Sequence, residues 1–240
     1  MPIKAVGFDI GHTLINYNAP LSWKSLYPDV LRKVMDVCQF AEQENWLESA
    51  VAVLSKYNTR EHYREYEVTS DTIFKEIFDA WGQDYGKLSV AKEVFYEFFQ
   101  SNAVCFDDTV STLETLSANG FLLGFLTDVA YGMDNEYSLN DIAEIKHYFN
   151  AGFTSVDVGF RKPNAQGFMM LLDALDIQPS QMLFVGDEEK DITGANNVGI
   201  VSVLINKDAD TKNWGQSHTI QNLSEILNLI SSVNERILGT

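Results

Sequence analysis

Positive charge is scarce in this chain of 240 residues: 17 Lys and Arg stand against 34 Asp and Glu, a formal net charge of −17. Such a surface repels polyanions, so nucleic acid and anionic membranes are not expected as partners. An anionic substrate would need local positive charge from a metal ion, a lysine or helix N-termini. Cysteine is nearly absent. Cys38 and Cys105 are too few for a disulfide framework, which points to a cytoplasmic protein. No apolar run approaches the length of a membrane span; residues 121–126 are far too short. The N-terminus carries only Lys4 before an apolar run that ends at Asp9, a strand pattern and not a signal peptide. Internal repeats and low-complexity tracts are also lacking.

What is present is an ordinary globular composition, 45% hydrophobic and 12% aromatic, in a chain long enough for one domain with a substantial insertion. Residues 3–8 and 121–126 read as buried strands of parallel type, short apolar runs bounded by Gly with Asp or Asn. Residues 182–185 and 200–205 repeat the pattern, and 156–158 lie in a weaker strand candidate. Amphipathic stretches at 107–118, 138–148, 163–175 and 191–197 predict helices between them. Asn119-Gly120 marks a helix stop, and Pro163 suits a first helical turn. This alternation implies an α/β fold, a doubly wound, Rossmann-like parallel sheet with its site at the carboxyl ends of the strands.

Between the first two strands the pattern changes. Residues 21–38, 41–57, 70–81 and 89–100 all read as helix, with Leu47, Val51 and Leu54 at three- or four-residue intervals. The expected division is a core of residues 1–16 and 103–240 with an inserted helical bundle of 17–102, hinged at 16–20 and 105–107. The run Phe95-Tyr96-Glu97-Phe98-Phe99 reads as helix core, with a homodimer face left open as the alternative.

The residues suited to chemistry are far apart in sequence. Ala5-Val6-Gly7-Phe8-Asp9-Ile10-Gly11-His12-Thr13-Leu14 is an apolar strand delivering one carboxylate to a small, flexible turn. Thr127 follows the strand at 121–126, Lys162 precedes Pro163, and Asp187 follows 182–186. An acid, a hydroxyl, an amine and a second acid, three of them at strand ends, make a site able to attack a phosphate.

In these motifs, and over essentially its whole length, the chain resembles the haloacid dehalogenase-like hydrolases, in the subgroup with a helical (type C1) cap after the first strand. The resemblance implies that Asp9 is the nucleophile. A carboxylate is ionised at neutral pH and can form an acyl phosphate without an activating base. It implies that the Thr127 hydroxyl and the Asp128 amide hold phosphate oxygens at a helix start. Lys162 would neutralise Asp9 and the transferring phosphoryl group, in preference to neighbouring Arg161. Asp187, with Asp9 and the backbone carbonyl of Gly11, would bind Mg²⁺ through oxygen ligands. Asp191 would support that centre by orienting Asp187 or a metal-bound water. Glu188 and Glu189 are expected to be a solvated helix start.

The match fails at one place. Most phosphatases of this family carry a second Asp where Gly11 stands, which protonates the leaving alcohol and then activates water; its loss costs about a hundred- to ten-thousand-fold. His12 is adjacent and reads either as a surrogate acid or, the better reading, as a turn residue touching the bundle and the substrate. A metal-dependent phosphatase for a small phosphorylated metabolite is the expected function. Alternatives are a dehalogenase-like hydrolase, which needs no metal and does not keep the acidic Gly186-Asp187 pattern, and an impaired member that binds a phosphometabolite or partner protein. A phosphonatase would need a marked lysine in the bundle, and a sugar kinase a second Gly-rich loop; neither is found. Tyr17 and Lys24 lie nearest the nucleophile among the inserted residues and are candidate substrate contacts. Arg60, His62 and Arg64 form a candidate cationic cluster.

Overall fold

The computed structural model describes residues 1–17, 23–100, 103–208 and 210–238. Its centre is strand β1 (Ala5–Phe8), too short and apolar to do anything but cross the core. The small ribbon strands β2 (Ile15–Tyr17) and β3 (Ala103–Cys105) follow, running antiparallel with Tyr17 opposite Ala103. The main sheet continues with β4 (Leu122–Thr127), β5 (Ala151–Thr154), β6 (Met182–Gly186), β7 (Val201–Ile205) and β8 (His218–Ile220). Its six strands lie in the order β5-β4-β1-β6-β7-β8, every neighbouring pair parallel.

Helices cover both faces of the sheet, as crossovers between parallel strands require. Val6, Phe8, Leu123, Phe125, Leu183 and Val185 meet the apolar sides of α5 (Thr109–Ala118) and α10 (Ile226–Leu238). The alternate positions Ala5, Leu126, Met182 and Phe184 meet α8 (Ala165–Leu175) and α9 (Glu189–Val198). This is the two-residue period of strands buried on both sides. Register then fixes the site. Phe8 lies level with Phe125 on one side and Val185 on the other, so Asp9, Thr127 and Asp187 emerge together at the carboxyl edge.

Between β2 and β3 lie α1 (Trp23–Cys38), α2 (Trp46–Tyr57), α3 (Ser70–Ala80) and α4 (Leu88–Gln100). They bury Tyr27, Phe74, Phe78, Phe95, Tyr96 and Phe99 in a second cluster, which Val129, Tyr131 and Met133 of the loop after β4 join. The aromatic run of α4 is thus interior. Tyr27 and Tyr131 join their hydroxyls where this bundle meets the loop after β4.

Several expectations are corrected. Residues 156–158 form no strand: Thr154 ends β5 and caps α7 (Ser155–Val158) in a reciprocal capping box with Asp157, which overrides the β preference of the two valines. Residues 138–148 are not one helix. A single turn, α6 (Asn135–Ser138), gives way to successive three-residue turns through Asn140, Ile142 and Ile145. Buried Ile142 and Ile145 mimic a helical stripe there, while Asn140-Asp141 favours turns. Helix α2 starts at Trp46 and not at 41, α8 starts after Asn164 as its cap, and β8 and α10 carry no expectation at all. Of the hinge expected at 16–20, residues 18–20 lie outside the described residues.

A second junction joins the bundle to the core. The linker between α2 and α3 pairs with the loop before Lys162: Glu67 N–H donates to the Gly159 carbonyl at 2.9 Å and Arg161 N–H to the Glu65 carbonyl at 2.8 Å. Tyr66 and Phe160 lie between them in an antiparallel bridge.

Candidate active site

The Lys162 ammonium is the hub. Its Nζ lies 2.7 Å from Asp9 Oδ1 and 2.6 Å from Asp191 Oδ1, and donates to the Leu126 carbonyl at 3.1 Å. It is 3% exposed, so these are its solvation shell. Burial pushes the ammonium down, but Asp191, Asp9 and Asp128 together outweigh it and hold its pKa far above the usual lysine range. Asp191 is wholly buried, and that burial raises its carboxyl against the pull of Lys162. Its Oδ2 accepts the Glu188 N–H at 3.0 Å. Gly186 makes this possible: a Cβ there would lie 2.4 Å from Asp191 Cβ. That glycine serves the close approach of a carboxylate, not a tight turn.

Asp187 is held by Thr13, whose hydroxyl donates to Oδ1 at 3.1 Å. Burial raises its carboxyl, and the charges of Asp9 and Glu188 add to the rise. Asp9, Asp187 and Asp191 each present a carboxylate oxygen within a 4.8 Å span. Among the described residues only one ammonium, Lys162, pairs directly within that trio, so the cluster carries surplus negative charge, and an all-oxygen donor set suits a hard divalent cation such as Mg²⁺. The residues present therefore fit the expected metal.

Thr127 and Asp128 both line the cavity above this floor. No α-helix starts behind them, however. Val129 is extended and a short 3₁₀ turn at Ala130–Gly132 follows, with Tyr131 at φ 52, so the expected helix N-terminus is lacking. The Asp128 carboxylate instead braces the floor, accepting the Lys162 N–H at 3.0 Å and pairing with Lys190 at 3.1 Å. Burial pushes its pKa up, but Lys190, Lys162 and Arg161 together bring it below the ordinary value.

Arg161 pairs with none of the acidic trio, though its Nη2 lies 3.9 Å from Asp128 Oδ2. It lies buried against Glu67 of the bundle linker and donates to the Val129 carbonyl at 2.8 Å. Glu67 also receives Arg64 at 2.9 Å and the Ser155 hydroxyl at 2.6 Å. The expected cationic cluster therefore does not converge: His62 is exposed, Arg64 lines the cavity but is bound to Glu67 and the Tyr57 carbonyl, and Arg60 lines it with Nη2 3.3 Å from Glu188 Oε1. Glu188 is correspondingly not a solvated helix start. It is half-buried, pairs with Lys190 at 2.7 Å and lines the cavity, whereas Glu189 is exposed as expected.

His12 turns the chain in the left-handed region, φ 56, and meets Tyr17 edge-on with ring centroids 5.8 Å apart. Its carbonyl and that of Thr13 accept Lys207 Nζ at 2.7 and 3.0 Å, a brace with no sequence signal. Burial lowers Lys207 to about 8. Lys24 lines the cavity while paired with Glu61 at 2.7 Å. The cavity, about 880 Å³, runs from Asp9 up to Trp23, Tyr57 and Phe99 of the bundle.

An acid–lysine–acid floor at the carboxyl edge of a parallel sheet, under inserted helices, defines a class, and comparison with known proteins agrees. Residues 40–205 match the family of haloacid dehalogenase-like hydrolases, and the chain belongs to that family. It is 27% identical over 210 residues to a glyceraldehyde 3-phosphate phosphatase of Methanothermobacter thermautotrophicus, covering 86% of this chain and 87% of that one. Among solved structures it shares its fold with a 2-haloacid dehalogenase of Pseudomonas syringae, at TM-score 0.70, 22% identity and coverage of 96% and 99%. A HAD phosphatase of Thermococcus onnurineus is similar at TM-score 0.65, 22% identity and coverage of 95% and 98%. The chain is thus a hydrolase by family. No helix among the described residues is long and apolar enough to cross a membrane.

Proposed function

We propose that this protein is a Mg²⁺-dependent phosphatase that hydrolyses a small phosphorylated metabolite through a phosphoryl group carried on Asp9. The observation that carries the reading is the floor itself: one buried lysine between Asp9 and Asp191, with Asp187 inside the same 4.8 Å span. A dehalogenase has no use for that acidic trio, whereas a phosphate dianion beside Asp9 requires a cation. Asp9, Asp187 and the Gly11 carbonyl would hold Mg²⁺, with Asp191 behind them, and the ion would offset the phosphate charge.

The chain's own residues do the rest. Asp9 presents its free carboxylate oxygen at the end of β1. Lys162 orients it and spreads positive charge toward the transferring group, whose transfer depends chiefly on positioning and electrostatics. The Thr127 hydroxyl and the Asp128 amide, on the cavity lining, would receive the remaining phosphate oxygens. Residues 17–102 act as a cap over a core of 1–16 and 103–240, excluding water and bulky esters. A phosphatase-named relative supports this reading.

The test is turnover of p-nitrophenyl phosphate and of a panel of phosphorylated metabolites, with Mg²⁺ and after chelation. Wild type hydrolyses them only with the metal, and folded Asp9→Asn is inert. Metal-independent turnover, or a normal rate in the variant, would refute the reading.

A further inference from the structure

Space does not explain the glycine at position 11. A Cβ added there meets nothing nearer than Tyr17 Cε2, at 4.0 Å. The tyrosine ring edge thus borders the volume that a side chain at position 11 would enter. Its hydroxyl reaches Asp141 Oδ2 at 3.4 Å, across 124 residues of sequence. Both residues line the cavity that Asp9, Lys162 and Asp187 line from below. The other oxygen, Asp141 Oδ1, is buried without a hydrogen-bond partner among the described residues, and so is the neighbouring Ser138 Oγ. A buried carboxylate oxygen left unpaired costs free energy. No described cation pairs with it either.

We propose that Tyr17 and Asp141 form the proton relay of this site, serving the leaving group where the second acid of related phosphatases is missing. The inference rests on the phosphatase reading above. In the first half-reaction Asp9 bonds to phosphorus and the bond to the leaving oxygen breaks. That oxygen takes the Tyr17 hydroxyl proton, and Tyr17 takes the proton of the Asp141 carboxyl. In the second, water adds to the phosphorus and passes its proton to the Tyr17 oxygen as Tyr17 returns one to Asp141. The bond to Asp9 breaks, phosphate leaves, and both acids regain their starting state.

Electrostatics agree with the geometry. Burial pushes the Asp141 carboxyl up to about 7, with the Tyr17 hydrogen bond pulling the other way, so near neutrality it can both give and take a proton. Burial, with the charges of Asp141 and Asp9 added, pushes the Tyr17 phenol far above its ordinary range. The titratable groups facing the pair are His12, edge-on to Tyr17, and Asp9; Lys24, on α1, is engaged by Glu61.

Rapid-mixing kinetics with Mg²⁺ test the relay, using Asp141→Asn and Tyr17→Phe against p-nitrophenyl phosphate and glycerol phosphate. The nitrophenolate leaving group needs no proton, so a burst persists in both variants while the later turnover falls by about a hundredfold or more. With glycerol phosphate even the first turnover slows by about that factor. The limb of the wild-type pH–rate profile near about pH 7 disappears in Asp141→Asn. Turnover of both esters within about threefold of wild type, or equal loss of burst and turnover, overturns the proposal. If one variant does not fold, the other carries the test. A wild type inert toward both esters would remove the phosphatase reading itself, an outcome distinct from a working enzyme with dispensable Asp141.

Discussion

Replacing Asp141 by Asn should stabilise this protein, and more so as the pH rises. A carboxyl carried from the ordinary 3.8 to about 7 by burial is about 4 kcal/mol worse as an anion in the fold than in the unfolded chain. Water in the cavity screens part of that, so roughly half is a fair expectation. The sign follows from the direction of the shift. Below about pH 4 the carboxyl is protonated in both states and costs nothing. Between about pH 4 and pH 7 the unfolded chain loses the proton while the fold keeps it, so stability from this group falls as pH rises. Above about pH 7 the penalty is complete. An Asn of the same shape never ionises. Urea denaturation of both proteins at about pH 5 and pH 8 should therefore show the variant gaining about 1–2 kcal/mol on wild type across that interval. In a protein of this size that corresponds to roughly 2–8 °C in Tm. A difference that stays flat with pH, or that favours wild type at the higher pH, would show that Asp141 ionises freely and that the reasoning is wrong.

Two further outcomes follow from the packing around the floor. Glu67→Gln removes the nearer counter-charge of buried Arg161, the pair being 2% and 8% exposed, and leaves it only Asp128 at 3.9 Å, so it should cost roughly 2–4 kcal/mol in denaturant titration; a loss under about 1 kcal/mol would contradict that pairing. Gly186→Ala drives a methyl to within 2.5 Å of the Asp191 carboxylate, costing about 1–3 kcal/mol and lowering kcat more than KM, because Asp191 is pushed off Lys162. Unchanged kcat in a folded Gly186→Ala protein would separate Asp191 from the reaction.

The parts of this molecule that were legible in advance are those whose signal is local. The strands behind Asp9 and Asp187 are unbroken apolar runs ending in an acid, and parallel register then carries the two carboxylates to one edge. The preference for Lys162 over Arg161 comes from the family resemblance, and the structure sends the two cations opposite ways, one to Asp9 and one to Glu67. Glu67, by contrast, is one acid in a polar linker, and only tertiary contact adds Ser155 and Arg161 to its local partners Arg64 and the Val68 N–H. Asp141 was hidden more thoroughly, inside a stretch whose isoleucines imitate a helix; a helix would have set its carboxylate by a different geometry. Glu188 looked like a solvated helix start because the bundle arginine that meets it is 128 residues away.

The stitch between residues 65–67 and 159–161 has a mechanical consequence. Any swing that lifts the helices off the sheet must first snap two main-chain hydrogen bonds and the Glu67–Arg161 pair, all within one to three residues of Lys162. Opening the chamber therefore frees the main chain just before Lys162, while its ammonium keeps its own anchors in the sheet, Asp9, Asp191 and the Leu126 carbonyl.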